Sequence, residues 1–186
     1  MSFNNISGVE HARNQEYVHR VNTDKGWYDQ PVSFLEAMAL LMTEVVEVSD
    51  AYQADGLLGG WQARPQMASE FADCYIRLVD DASRFNVDLG VVVDIYRHSY
   101  EQRKAGSFDG VCMQLIRRIR DAVEAWRTEG QEPDGTVGSD TRKHLAYFFL
   151  QLQDTCDEFG VDIMNAFNQK MAVNEARPYR HGGKHA

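Results

Sequence analysis

The chain is poor in the residues that staple or interrupt a fold. Its three cysteines, Cys74, Cys112 and Cys156, include no CxxC pair, so it is not a small disulfide-stapled scaffold. Cys74 and Cys156 fall in apolar helical stretches, where small thiols are commonly buried, and a reducing, cytoplasmic setting is expected. Proline is confined to positions 31, 65, 133 and 178, which leaves long uninterrupted segments. Positive charge is in deficit, with 19 Lys and Arg against 28 Asp and Glu and a formal charge of −9. That balance argues against non-specific binding to nucleic acid or an anionic membrane. No run approaches the length of a membrane span, and the start "MSFNNISGVEHARNQ" has no apolar signal core. A length of 186 residues suits one well-packed domain or two closely packed halves.

What the chain does have is helical periodicity. Phe34, Met38, Leu41, Val45, Val48 and Tyr52 draw one apolar stripe at 4-3-4-3-4 spacing, and Phe71, Tyr75, Leu78, Ala82 and Phe85 draw a second. The loop "ADGLLGGWQARPQ" joins them. A third helix is expected after Asp88, a good N-cap, running through "LGVVVDIYRHSYEQR". Adding 74 to the first stripe gives Leu115, Ile119, Ala122 and Trp126, and adding it to the second gives Leu145, Phe149, Leu152, Cys156 and Phe159. Gly56 maps to Gly130, and Asp88 to Asp162. A duplicated helical unit is expected, with residues 30–104 as the first copy and 110–186 as the second. "KAGSFDG" links them, and "TEGQEPDGTVGSD" is a loop inside the second. The predicted fold is all-α, one helical bundle built from two related units.

Acidic pairs border the first two stripes. Glu44 and Glu47 share a helix face at three-residue spacing, and so do Glu70 and Asp73. Like charges so placed are mildly destabilising unless a cation or donors lie between them. If the two helices pack antiparallel, the four carboxylates converge, and such an oxygen set suits Mg²⁺ or Mn²⁺ better than zinc. Asp50 and Asp80 extend the two faces, as supporting groups or as solvated surface. A di-iron bundle would want Glu-x-x-His pairs, and no His follows Glu44 or Glu70 at the third position. At the offset of 74 the four carboxylates become Arg118, Asp121, His144 and Tyr147, so one metal site per chain is expected, in the first unit.

The cations gather at the other end, in "KMAVNEARPYRHGGKHA". Lys170, Asn174 and Arg177 share a helix face, Pro178 stops the helix, and Arg180, His181 and Lys184 follow. Arg as a planar fork and Lys as a point charge are what polyphosphate recognition uses.

Together, Glu44-x-x-Glu47, Glu70-x-x-Asp73 and the closing "KMAVNEARPYRHGGK" resemble the MazG-like members of the all-α nucleoside triphosphate pyrophosphatases, over residues 16–184. "NTDKGWYDQ" looks like the segment that leads into the first helix of such proteins. The resemblance implies a Mg²⁺-dependent enzyme that cleaves a nucleoside triphosphate to the monophosphate and pyrophosphate, as nucleotide-pool house-cleaning. It implies Glu44, Glu47, Glu70 and Asp73 as metal ligands, one of them, with Glu47 favoured, as a general base. It implies Lys170, Asn174 and Arg177 as phosphate contacts, with Arg180 and Lys184 as further candidates. Lys25 and Trp27 join that list, Trp27 either stacking on a base or packing at a helix start. The chain departs from a simple member by placing "DIYRHSYEQR" where the Lys-Asn-Arg helix would follow, an arrangement similar to the dimeric-type dUTP pyrophosphatases. An inactive nucleotide-binding module on the same scaffold is the alternative, and a homodimer is a further expectation.

Overall fold

A computed structural model describes residues 6–56, 65–103 and 105–182, and the fold is all-α. Seven α-helices are described: α1 (Gly8–Asp24), α2 (Phe34–Gly56), α3 (Pro65–Arg84), α4 (Leu89–Tyr96), α5 (Phe108–Glu129), α6 (Ser139–Glu158) and α7 (Ile163–Ala176), with 3-10 turns at Arg97–Ser99 and Tyr179–Gly182. Among the described residues no helix is long and apolar enough to cross a membrane. The residues of the four stripes form the core, with Tyr52 and Trp126 partly buried at its edge. All three cysteines are buried and free. Most of the "ADGLLGGWQARPQ" loop, Lys104 of the linker and Lys184 lie outside the described residues.

The offset of 74 recurs in local structure. Helices α2 and α5, α3 and α6, and α4 and α7 start 74 residues apart in each pair. Ser33 Oγ accepts from the Glu36 amide at 3.2 Å, and Ser107 Oγ accepts from the Gly110 amide at 3.1 Å. Asp88 and Asp162 cap α4 and α7 in the same way, each accepting at 3.0 Å from the amide three residues on. The turns before them match as well, with Asn86 at φ 53 and Gly160 at φ 64 closing α3 and α6.

The recurrence extends to packing. Helix α2 lies on α3, α5 on α6, and α2 meets α5 between the halves. There Phe34 stacks on Trp126 at 5.4 Å and meets Phe85 at 5.2 Å, while Phe108 stacks on Tyr52 at 3.8 Å and meets Phe159 at 4.9 Å. Each aromatic thus crosses to the offset partner of the other's neighbour, the relation found in a self-complementary two-fold interface. These contacts support a duplicated unit. The halves also exchange their third helices, since α7 packs on α3 and α4 on α6. The division at 104–110 therefore follows the chain and not the packing.

One expectation needs correction, and one element was not expected. The helix after Asp88 ends at Tyr96, continues as a 3-10 turn and becomes extended at Tyr100 (φ −75, ψ 134). Gln151 on α6 draws that segment out, accepting from the Arg103 amide at 2.9 Å and donating to the Arg103 carbonyl at 3.2 Å. The unexpected element is α1, which has no predicted counterpart. A capping box opens it, Ser7 Oγ accepting from the Glu10 amide while the Glu10 carboxylate accepts from the Ser7 amide at 2.9 Å. Helix α1 then buries His11, Val18 and Val21 against α3 and α4.

Candidate functional site

The predicted residues converge on one cavity of about 400 Å³ bounded by α2, α3, α7 and the segment after α1. Glu44, Glu47, Glu70, Asp73, Lys170, Asn174, Arg177, Lys25 and Trp27 all line it. The convergence has a local cause. The stripes of α2 and α3 are buried against each other, so residues just beside them face one another across the seam, while α7 is brought over the start of α3.

Carboxylate oxygens of Glu44, Glu47 and Glu70 lie within 4.8 Å of one another. Asp73 sits beside them, and its carboxylate pairs with the Lys170 ammonium, which also donates to Ser69 Oγ at 3.0 Å. Glu44 Oε1 pairs with Arg77 at 3.0 Å. Two cations thus offset part of a four-carboxylate cluster, as like charges at this spacing require. Burial pushes Glu70 up to about 7, opposed by Lys170 and assisted by the Asp73 and Glu47 carboxylates. Burial also raises Glu44, against the Arg77 guanidinium. Charge removed from water seeks a counter-ion, and the donors here are hard oxygens at mutual distances a single divalent ion can span. Glu44, Glu47 and Glu70, with Asp73 adjacent, are the residues here that could hold a hard divalent cation.

Other groups are placed differently from expectation. Lys25 reaches the cavity but spends its ammonium on the Arg177 carbonyl at 2.6 Å. Arg180 does not line the cavity. It pairs with Asp29 at 3.0 Å, and its amide donates to the Lys25 carbonyl at 3.0 Å, which latches the C-terminal turn onto the segment after α1. Tyr179 completes this latch by bonding Asp29 and packing against Gly26, where any Cβ would strike its ring at 2.4 Å. Trp27 is half-buried at the cavity wall, and its carbonyl accepts from Arg84 at 2.9 Å. Asp50 is exposed, whereas Asp80 is buried, contrary to a solvated face. Its carboxylate accepts from Tyr28 at 2.8 Å and pairs with Arg84 at 3.3 Å.

Among the lining residues that the sequence did not single out is Asp81. Asp81 is 2% exposed, one position beyond Asp80, and its Oδ2 has no hydrogen-bond partner among the described residues. The signal was a second carboxylate next to the Leu78 and Ala82 stripe positions. In comparisons with protein-family models, curated proteins and solved structures, no match was found.

Proposed function

We propose that the chain is a metal-dependent nucleoside triphosphate pyrophosphohydrolase that cleaves between the α and β phosphates and serves nucleotide-pool house-cleaning. One observation carries the reading: three mutually close carboxylates, Glu44, Glu47 and Glu70, share a single cavity with Lys170, Asn174 and Arg177. A cavity with an acidic floor and a cationic wall suits a polyphosphate that arrives with a divalent ion. Glu44, Glu47, Glu70 and Asp73 would hold that ion. When bound, Mg²⁺ neutralises phosphate charge and lowers the pKa of a coordinated water.

The protein groups account for the rest. Lys170 is poised to exchange Asp73 for a phosphate oxygen, keeping its charge compensated throughout. Asn174 has a buried Oδ1 with no partner among the described residues, so it retains bonding capacity toward a substrate donor. Arg177 follows on the same face at the end of α7, where Pro178 turns the chain into an extended path. Its guanidinium adds positive charge where the leaving pyrophosphate gains negative charge. Glu47 is the most exposed of the three close glutamates and the one best placed to take a proton from attacking water.

The test is pyrophosphate release from canonical and modified nucleoside triphosphates with Mg²⁺, with Mn²⁺ and with chelator. Release that needs the metal is expected. No release from any substrate by folded protein would replace this reading with a non-catalytic nucleotide-binding module.

A further inference from the structure

The cavity continues past the carboxylate cluster along α3, where Arg77, Asp80, Asp81 and Arg84 follow Asp73 on successive turns. Asp81 stands roughly 12 Å along the helix axis from Asp73, given 1.5 Å per residue. That span matches the reach from the phosphates of a bound nucleotide to its base. Val21, Val32, Leu40, Ile76 and Trp27 add apolar surface to the lining of the same cavity, of the kind that packs against a base.

Within the inner group, charges are already matched. Arg77 pairs with Glu44, and Arg84 pairs with Asp80 while its guanidinium lies 4.0 Å from the centre of the Tyr28 ring. Asp80 uses one oxygen for Tyr28 and the other for Arg84. Asp81 is left with a buried, unpartnered oxygen, a costly arrangement for a carboxyl. Burial pushes it up to about 8, with the neighbouring Asp80 adding to the effect. The fold does not require an acid here. The offset position in the other half is Thr155, also buried, whose hydroxyl bonds the Gln151 carbonyl at 2.7 Å inside α6.

We propose that Asp81 reads the base of the substrate, selecting one that carries an exocyclic amino group: adenine, cytosine or guanine. This rests on the nucleotide reading above and names its substrate class. In either protonation state Asp81 keeps an acceptor oxygen, and its Oδ2 has no partner among the described residues, so this point of the inner cavity can take an N–H donor. Amino-bearing bases supply one. Uracil and thymine flank their single imide N–H with two carbonyl oxygens, which make no match with the Asp81 acceptor. A polar site built for donors discriminates strongly against analogues that lack them.

The experiment measures binding of dAMP, dCMP, dGMP, dUMP and dTMP by calorimetry with Mg²⁺ present, for the wild type and for Asp81→Thr, which copies the residue at the offset position. An amino-bearing nucleotide should bind tightest, by about 10- to 100-fold over dUMP and dTMP. Asp81→Thr should collapse that preference while its melting temperature stays at or above the wild-type value. Should Asp81→Thr fail to fold, Asp81→Asn keeps the side-chain shape, and its altered base ranking gives the same answer. Tightest binding of dUMP or dTMP, no binding of any monophosphate, or a preference unchanged in the variants overturns the proposal. The hydrolysis reading is separable: base selectivity lost in Asp81→Thr but no triphosphate turned over by wild type would remove that reading and leave this one.

Discussion

The cavity and the region at the offset of 74 are built on helices matched in register and hold opposite chemistry. In the first, the buried side-chain atoms without partners among the described residues are acceptors, Asp81 Oδ2 and Asn174 Oδ1. In the second, Arg103 Nη1 and Arg118 Nε are donors left unpaired, beside His144 Nδ1. The second region also fills itself. Arg118 replaces Glu44, lies 5.3 Å from the centres of both the Tyr100 and Tyr147 rings and donates to the Glu101 carbonyl. Asp121 replaces Glu47 and is held by Arg103 and Arg120, both at 2.5 Å. Tyr100 stands where the first region has Asn174, with its hydroxyl on Asp154 at 2.8 Å. Helices matched at the offset of 74 therefore need not carry matching sites. The chemistry is set by the few residues beside the stripes, and the stripes keep the fold regardless of what those residues are.

Breaking that contrast should give its largest effect in the acidic region. Replacing Glu47 by Gln should lower metal-dependent turnover by about a hundredfold or more without unfolding the protein, since it removes a ligand or base while keeping volume. His144→Gln, on the second side, should leave turnover within about twofold, because a group outside the site makes no transition-state contact. Equal losses from the two variants would end the asymmetric reading.

A middle-sized effect lies where α1 meets both halves. His11 is fully buried between Tyr75 and Phe149, which are themselves 74 residues apart, at ring distances of 5.8 and 4.4 Å. Its Nδ1 bonds the Tyr75 hydroxyl at 3.0 Å, whereas Phe149 offers only a ring. Burial pushes His11 down from 6.5 to about 4, so the folded protein resists the proton that the unfolded chain accepts. The stability this represents is present above pH 6.5 and is lost as pH falls toward 4, about 3 kcal/mol at most. Asp81 has the opposite sign, its folded form favouring the proton, so its share is lost as pH rises from 3.8 to about 8. Denaturant titrations at several pH values should show His11→Gln with a flatter acid limb. An unchanged limb would mean that His11 is not the group responsible.

The smallest effect concerns the matched turns. Gly160 at φ 64 tolerates Asn, as its counterpart Asn86 at φ 53 shows, but Val there should cost about 1–2 kcal/mol of left-handed strain. Equal melting temperatures for Gly160→Asn and Gly160→Val would mean that the turn relaxes.

The legible part of this molecule was its periodicity. Apolar stripes at 3.6-residue spacing located α2, α3, α5 and α6, and carboxylates beside a stripe located the cluster, because both follow from helix geometry alone. Packing between distant segments was not legible. Nothing in "LGVVVDIYRHSYEQR" says that Gln151 will draw its second half into an extended path, and nothing local says that α7 will lie on α3 while α4 lies on α6. The burial of Asp80 could not be read locally, because the Tyr28 that bonds it lies 52 residues earlier, and Asp81 gave no reading at all. Helix α1 could have been found, since Ser7 and Glu10 spell a capping box.

The most direct test of the central claim is a Mn²⁺ titration of the whole chain, followed by calorimetry, on the wild type, Glu70→Gln and His144→Gln. These two variants alter the same position of the repeat in its two settings. The account predicts metal binding by the wild type and by His144→Gln with the same affinity, and its loss in Glu70→Gln. Metal binding that survives Glu70→Gln, or that disappears with His144→Gln in a folded protein, would contradict it.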